Sequence, residues 1–291
     1  MNTNSNTYTV IYSIVLVVVV AAVLAFAAMS LKPAQDENVK VETITQVLKA
    51  AVQADASYVL EDDVNVTSLY STIAVDAFYV NGNGEKVRSM NTGKEDVKDI
   101  TVASTSDLKK QNDIIKQIEA GKTELLPSLE LPVYVIGVKG TPVTVIPCYG
   151  AGLWGPIWGY LAVAEDGKSI YGAIFDHKSE TPGLGAKIAE EPFYSQFAGK
   201  KFADGDVLFS VVKGGANGSE NGVDAISGAT ITSQALGRTI NTWVKYYEPY
   251  FSASSKCCHS QEAECCGGCD GECGENAGCC GGCEATENVE E

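Results

Sequence analysis

Positive charge is scarce in this chain. Its 291 residues carry 21 Lys and Arg against 37 Asp and Glu, a formal net charge of −16. Nucleic-acid binding needs clustered Lys and Arg, so this balance argues against nucleic acid as a partner. The acidity is concentrated at one end, because the residues after Lys256 include nine Asp or Glu and no further Lys or Arg. The remainder is only mildly acidic, as soluble surfaces often are.

Charge is absent altogether from residues 10–29, where Tyr12 and Ser13 are the only polar side chains. An apolar run of this length matches the hydrocarbon core of a bilayer, about 30 Å, and predicts a transmembrane helix over residues 10–31. A cleaved signal peptide is the alternative, because Ala25-Phe26-Ala27 imitates a cleavage site. Against it, the first nine residues contain no Lys or Arg, and the run exceeds the roughly 7–15 residues of a signal core.

A nicotinamide-binding motif is also missing. Gly150-Ala-Gly152-Leu-Trp-Gly155 matches the dinucleotide pattern G-x-G-x-x-G. That pattern must open a helix, whereas the residues after Gly155 are predicted to continue as a strand. No other stretch resembles an NADH site. The alternative is a tight loop that joins two strands.

Apolar spacing predicts five helical segments in the rest of the chain. Pro33 follows the span, at a position where a new helix can begin. Helical periodicity then predicts segments over residues 36–54, 65–72, 107–118, 190–197 and 230–250. Two of them have a predicted apolar face, formed by Val41, Ile44, Val47, Leu48 and Ala51 in the first and by Ile231, Ala235, Leu236, Ile240, Trp243, Val244 and Tyr247 in the last.

β-branched and aromatic runs predict the strands. Asn81-Gly82-Asn83-Gly84 is a hairpin-type turn signal at the end of the first run. Strands are predicted over residues 74–81, 132–138, 142–148, 157–164, 169–176 and 207–212. Helices and strands do not alternate regularly, so the fold class is predicted to be α+β with an antiparallel meander, not a doubly wound parallel sheet.

Asp224-Ala-Ile-Ser227-Gly228-Ala229-Thr230-Ile-Thr232-Ser233 places three hydroxyls at the start of the last predicted helix. Hydroxyls and backbone N–H groups at the positive end of a helix suit a phosphate. Ordinary helix capping would use the same residue types, so the local pattern leaves both interpretations open.

The sequence of that stretch resembles the flavinylation signature of the FMN-binding domain family, Asp-x-x-Ser-Gly-Ala-Thr. A membrane span, a Gly-rich Trp loop (residues 150–158) and Glu180-Thr-Pro-Gly-Leu-Gly-Ala186 precede it in the same order. Over residues 8–250 the chain thereby resembles the C-type subunits of the sodium-translocating NADH:quinone oxidoreductase. The G-type subunits of the Rnf electron-transport complex are the near relatives.

The resemblance implies that FMN is joined through its phosphate to Thr230, with Ser227, Gly228, Ala229 and Asp224 forming the turn or being recognised during attachment. A free Thr is a weak nucleophile, and the chain has only two His, neither in this stretch. Self-catalysed attachment is therefore not expected. The family uses a separate flavin transferase as a maturation partner.

The resemblance also implies a loop over the isoalloxazine ring, formed by Glu180, Thr181, Gly183, Leu184 and Gly185. Thr181 and backbone N–H groups would donate hydrogen bonds, and Leu184 would supply an apolar cover. Pro followed by Gly is a turn signal in any protein, so an ordinary turn is the alternative.

The Gly-rich loop is implied to border the flavin. Trp154 and Trp158 would offer flat apolar surface there, and the glycines would allow close backbone approach. Core packing is the alternative for both tryptophans. Cys148, beside this loop, is expected to be a small buried hydrophobic residue.

By resemblance the chain is an electron-transfer subunit of a multi-subunit oxidoreductase in the bacterial inner membrane, with no catalytic side chain of its own. The span has no ionisable group, so sodium transport is assigned to other subunits. The family places the large domain on the periplasmic side. The charges do not support this, because Lys32 and Lys40 follow the span and no Lys or Arg precedes it.

The Cys-rich tail departs from the family pattern. Nine of the ten Cys lie between Cys257 and Cys283. Soft-metal binding, disulfides, an Fe–S cluster and a disordered acidic tail are the alternatives. The candidate metal ligands are Cys265, Cys266, Cys269, Cys279, Cys280 and Cys283.

These observations predict five segments. They are an N-terminal segment (1–9), the transmembrane helix (10–31), a helical and mixed part (32–130), the FMN-binding domain (131–250) and the acidic tail (251–291). The Rnf-type protein is one alternative function. A membrane-anchored metal-binding or structural protein without flavin is the alternative from another class.

Overall fold

The computed structural model describes residues 6–55, 65–205 and 207–257. Its internal contacts divide the chain into two units, Met1–Glu42 and Thr43–Glu291. The first helix, α1 (Asn6–Val52), begins in the first unit and ends in the second. All other described elements belong to the second unit.

The N-terminal part of α1 is apolar on every side. Its most apolar window of 18 residues has a mean hydropathy of 3.0, and none of that window is buried. Phe26 and Met29, for example, are 75% and 76% exposed. An apolar helix surface of this size is unfavourable in water and suits lipid. By length and composition, α1 therefore fits a membrane anchor, in agreement with the span predicted over residues 10–31.

Pro33 does not divide α1, which corrects the prediction of a new helix over residues 36–54. The helix continues through Pro33 to Val52. Proline lacks an N–H and so removes a single hydrogen bond to the preceding turn, while its fixed φ is compatible with a helix. The predicted apolar face is confirmed for Ile44, Val47, Leu48 and Ala51, which are buried.

A six-stranded antiparallel sheet forms the centre of the second unit. Its strand order is β2-β1-β3-β4-β5-β6. The strands are β1 (Ala74–Val80), β2 (Lys86–Ser89), β3 (Leu131–Val138), β4 (Thr141–Ala151), β5 (Pro156–Val163) and β6 (Ile170–His177). Strands β3 to β6 follow one another as the predicted meander, so the α+β assignment is confirmed. Because β1 pairs directly with β3, the sheet crosses the boundary predicted between residues 130 and 131.

One face of the sheet packs against the end of α1. The side-chain amide of Gln46 donates to Asp176 Oδ2 at 2.9 Å, and the indole N–H of Trp158 donates to Gln46 Oε1 at 3.3 Å. Trp158 and Asp176 are partners in the β5–β6 register, so they project from the same face. Short helix α2 (Val66–Ile73) leads directly into β1.

The opposite face packs against the C-terminal helix, α5 (Thr230–Cys257), and short helix α4 (Glu191–Tyr194). The ring centroids of Phe175 in β6 and Phe197, just after α4, lie 4.8 Å apart. The indole N–H of Trp243 in α5 donates to the backbone oxygen of Tyr149 at 2.7 Å. Helix α3 (Thr105–Glu119) also lies close to β4.

The predicted apolar face of α5 is correct except at its start. Ala235, Leu236, Ile240, Trp243, Val244 and Tyr247 are buried. Ile231 is 59% exposed, so its inclusion is wrong. In this first turn Thr232 and Ser233 are the buried residues, and both hydroxyls are hydrogen-bonded. Polar contacts therefore decide which side of the turn faces inward.

Two short strands pair in parallel, β7 (Ser210–Val212) and β8 (Gly222–Asp224). The strand predicted over residues 207–212 contains β7 but begins too early. The sequence does not predict β8 or β2. β8 has three residues and all of β2 is exposed, so neither shows a hydrophobic alternation.

Gly150 should be sensitive to substitution because α5 crosses β4 there. A Cβ at Gly150 would overlap the side chain of Thr239, so Gly150→Ala should lower the free energy of unfolding by about 1–3 kcal/mol. Gly137→Ala is the matched control, because its Cβ would lie at an ordinary 3.4 Å from Ile73 O. Chemical denaturation followed by Trp fluorescence measures both. Equal effects would contradict the close packing of α5 on β4.

Candidate functional site

The Gly-rich Trp loop is a hairpin between β4 and β5. Gly150 lies within β4, and Gly152 N–H donates to Gly155 O at 2.7 Å to close the turn. The chain then continues as β5. A strand–turn–strand arrangement provides no helix N-terminus for a pyrophosphate, which confirms that the G-x-G-x-x-G match is not a dinucleotide site.

Glu180 connects this hairpin to the start of α5. Its Oε1 accepts a hydrogen bond from Trp154 N–H at 2.8 Å, and its Oε2 accepts one from the Thr232 hydroxyl at 2.7 Å. Its own N–H donates to His177 Nδ1 at 3.3 Å. The three segments that carry the sequence motifs therefore meet at one carboxylate, although 52 residues separate Glu180 from Thr232.

Two glycines leave the space that this carboxylate occupies. A Cβ at Gly152 would lie 2.5 Å from Glu180 Oε1, and a Cβ at Gly185 would lie 2.5 Å from Oε2. Neither distance is possible without displacement of the carboxylate. Gly152 and Gly185 are therefore needed to make room for the Glu180 side chain.

Glu180 is the only charged residue that is buried in the described ranges 6–55, 65–205 and 207–257, and it is 3% exposed. No Lys, Arg or His of those ranges forms an ion pair with it. A buried charge is costly unless donors replace its water. Here two charge-assisted hydrogen bonds, each contributing about 1.5–3 kcal/mol, and the positive end of α5 provide that replacement.

A turn over residues 226–229 leads into α5. Ala229 N–H donates to Ile226 O at 3.0 Å, and Gly228 has φ 78°, a value that glycine adopts without strain. A Cβ at Gly228 would lie 3.1 Å from Leu184 Cδ2, so the loop after β6 approaches this turn. The structure thereby brings Leu184 close to the signature.

The hydroxyls of the signature differ in their availability. Thr232 is 1% exposed and donates to Glu180. Ser233 is 0% exposed, donates to Ala229 O at 2.9 Å and accepts from Ile226 N–H at 3.1 Å. Thr230, the first residue of α5, is half-buried, and its hydroxyl makes no hydrogen bond to any residue that the structure describes. Ser227 is exposed and likewise has no such partner there.

Asp224 stabilises a neighbouring loop. Its Oδ1 accepts a short hydrogen bond from Ala216 N–H, and its N–H donates to Gln196 Oε1 at 2.9 Å. Asp224 therefore links the loop over residues 213–221 to the end of β8. These contacts give it a part in shaping the approach to the signature turn.

The loop after β6 exposes most of its predicted residues. Thr181, Gly183 and Leu184 are exposed, whereas Gly185 is buried beside Glu180. Thr181 O accepts from Leu184 N–H and Ala186 N–H, both at 3.1 Å. The loop is thus a closed turn whose side chains remain available.

The two tryptophans have different environments. Trp154 is 67% exposed beside Glu180, so core packing is wrong for this residue. Trp158 projects from the other face of the sheet toward α1 and packs against the core. Its proposed place beside the flavin is therefore not supported by the fold.

Cys148 is fully buried in β4, as expected of a small hydrophobic residue. Burial raises the pKa of its thiol to about 12, with a partly opposing hydrogen bond from the Gly159 backbone. The thiol is therefore neutral and unreactive at physiological pH. The six tail cysteines named as candidate metal ligands, and the alternatives for that tail, lie outside the described residues.

The sequence profile of the FMN-binding domain family matches residues 152–245. That range begins in the Gly-rich hairpin and ends in α5, so it contains all three segments that meet at Glu180. The chain is also 28% identical over 246 residues to the NqrC protein of Vibrio anguillarum, which belongs to the Na(+)-translocating NADH-quinone reductase. That alignment covers 84% of this chain and 92% of the relative.

A crystal structure of NqrC from Parabacteroides distasonis matches with a TM-score of 0.59 and 32% identity, over 76% of this chain and 97% of that one. The chain belongs to the NqrC family. A second member of the NqrC family, from Shewanella oneidensis, matches with a TM-score of 0.56 and 25% identity, over 76% and 99% of the two chains. The antiparallel-sheet fold is thus common to solved members of the NqrC family.

Thr232 should be needed for stability. Thr232→Val leaves Glu180 Oε2 buried without its donor, which should cost about 1–3 kcal/mol of the free energy of unfolding. Thr232→Ser is the control, because it keeps the hydroxyl and should remain close to the parent. Urea denaturation of the full chain in detergent measures both. A Val variant as stable as the Ser variant would show that the hydrogen bond contributes little.

Proposed function

We propose that the chain is the electron-transfer subunit of a membrane-bound Na+-translocating NADH-quinone reductase, and that it carries FMN esterified through its phosphate to Thr230. The attachment site is inferred from a difference in burial and hydrogen bonding among three hydroxyls at the start of α5. Thr232 and Ser233 are buried and hydrogen-bonded, while Thr230 is accessible and uncommitted in the described structure.

The surroundings of Thr230 fit a phosphate. The first N–H groups of any helix lack partners within the helix, and α5 begins at Thr230. Its 28 residues give a full helix dipole, whose positive end favours a negative group at this position. The exposed turn of Ser227 and Gly228 leaves this end open to solvent.

The adjacent surface fits a flat aromatic ring. Trp154 and Leu184 are 67% and 43% exposed on segments that meet at Glu180 and at Gly228. Exposed large apolar side chains next to a polar anchor are typical of a ligand-binding surface. Thr181 and Gly183, which are exposed in the same loop, can approach the ring edge.

When bound, FMN supplies the electron chemistry. The chain's residues hold the cofactor: the ester at Thr230 retains it, the start of α5 offsets the phosphate charge, and Trp154 and Leu184 exclude water from the ring. No nicotinamide motif is visible in the sequence, which suits a relay between partner subunits. Residues 10–29 of the anchor contain no Asp, Glu, Lys, Arg or His, so Na+ transport is assigned to those partners.

Attachment is assigned to a separate flavin transferase. A Thr hydroxyl needs an external base to act as a nucleophile. His177 lies in the described site, but its Nδ1 accepts the Glu180 N–H, and no described hydrogen bond joins it to Thr230. Asp224 and Ser227 would then present the signature to that enzyme.

The comparisons favour this assignment over the alternatives. The curated relatives that match over most of the chain are NqrC proteins of the Na(+)-translocating reductase, so the Rnf-type protein is not favoured. The match to an FMN-binding domain disfavours a metal-binding or structural protein without flavin.

Thr230→Ala should abolish covalent flavin without unfolding the protein. Co-expression of the parent with its flavin transferase should give an FMN-sized adduct on the peptide that contains Thr230 and a fluorescent band on a denaturing gel. The Ala variant should show neither. Its stability should stay within about 0.5 kcal/mol of the parent, because the Thr230 hydroxyl has no described partner.

Thr232→Ser serves as the control and should keep the adduct at Thr230. An Ala variant that still carries FMN would place the ester elsewhere. A parent that loses its flavin in acid precipitation would rule out a covalent bond.

The large domain is proposed to lie on the periplasmic side, against the charge bias of Lys32 and Lys40. A C-terminal alkaline phosphatase fusion should therefore be active, since that enzyme matures only outside the cytoplasm. A cytoplasmically active reporter at the same position is the control. Activity of the second fusion alone, with the protein stably inserted, would reverse the orientation.

A further inference from the structure

We propose that Glu180 is the positioning residue of the flavin site: its carboxylate joins the Trp154 hairpin to α5 before the cofactor arrives, and its negative charge lowers the reduction potential of the FMN held there. The inference rests on the proposed function. Its two parts can be tested separately, one without flavin and one with it.

The connection between the Trp154 hairpin and α5 follows from two hydrogen bonds to Glu180. Trp154 N–H and the Thr232 hydroxyl each donate to a different oxygen of one carboxylate. The Trp154 side chain is exposed, and its backbone is held at the N–H by the Glu180 carboxylate and at the carbonyl oxygen by the Ser179 hydroxyl. The link requires no ligand, since both donors belong to the chain.

The expected lowering of the FMN reduction potential follows from the negative charge of Glu180. Each oxygen of the Glu180 carboxylate accepts one hydrogen bond, from Trp154 N–H and from the Thr232 hydroxyl. Gly152 and Gly185 enclose it, and it has no cationic partner within the described residues. A fixed negative charge in a site shielded from water acts strongly on its neighbours. Electron arrival adds negative charge to the ring, and Glu180 opposes that addition.

Glu180 lies between the two segments that are proposed to hold the flavin. One oxygen bonds the hairpin of Trp154, and the other bonds a residue two positions after Thr230. Any cofactor that is esterified at Thr230 and contacts Trp154 therefore spans segments that this carboxylate joins.

Three variants distinguish the effect of the Glu180 charge on the flavin potential from the effect of its hydrogen bonds on stability. Glu180→Gln keeps the shape and removes the charge, so the midpoint potential of the covalent flavin should rise. Glu180→Asp keeps the charge but shortens the side chain, so the flavin-free protein should be less stable while the potential stays near the parent. Glu190→Gln is the matched control, because Glu190 is not buried and makes no side-chain capping bond. Water screens its charge, so its potential should be unchanged.

Spectroelectrochemical titration of the full chain, with mass spectrometry to establish the adduct, measures the potentials. A flavinylated Glu180→Gln protein with the parent's potential would overturn the electrostatic part. Equal shifts in the Gln and Asp variants would also overturn it, because the potential would then follow geometry.

Amide hydrogen exchange on the parent, expressed without flavin transferase, tests the connection even if a variant fails to fold. The Trp154 amide should exchange more slowly than that of Leu153, which has no hydrogen bond in the described structure. Equal rates would show that the connection does not exist. A parent that carries no adduct would refute the proposed function and leave this exchange result intact.

Discussion

The arrangement of the site depends on the cost of burying a carboxylate. Glu180 is taken out of water without a cationic partner among the described residues, so donors must replace its hydration. Those donors come from the β4–β5 hairpin and from α5, which are distant in sequence. A fold in which either segment moved away would leave a charge unsatisfied. The positions of the two segments that are proposed to hold the ring and the phosphate are thus coupled to each other.

The sheet and α5 prepare this meeting point. Gly150 lets α5 lie directly on β4, and the Trp243 indole bonds the backbone of that strand. With the body of the helix held there, its first turn projects toward the loop after β6. Thr232 and Ser233 face inward in that turn and use their hydroxyls within the protein, and this leaves Thr230 on the accessible side. Helix geometry alone therefore separates a structural hydroxyl from one available for chemistry two residues away.

Much of this architecture can be predicted from the sequence, because strands β3 to β6 and the body of α5 have clear hydrophobic periods. Strand β2 cannot, since its residues are exposed and have no apolar alternation. The partnership of Glu180 with Thr232 cannot be predicted either, because periodicity describes neighbours along an element and not contacts across 52 residues. The sequence identifies Glu180 only as part of a loop expected over a flavin. The motif contains no sign that its acidic residue is buried.

The order of the chain suits a relay with a single task. The apolar part of α1 fits a membrane anchor, and residues 10–29 contain no Asp, Glu, Lys, Arg or His for an ion pathway. The sheet supports the hairpin between β4 and β5 and the loop after β6, which carry the exposed Trp154 and Leu184. An ester at Thr230 would prevent loss of the cofactor, while the non-covalent surface would tune it. Retention and tuning would then rest on different residues, so the charge at Glu180 could change the potential without any change in how the flavin is held.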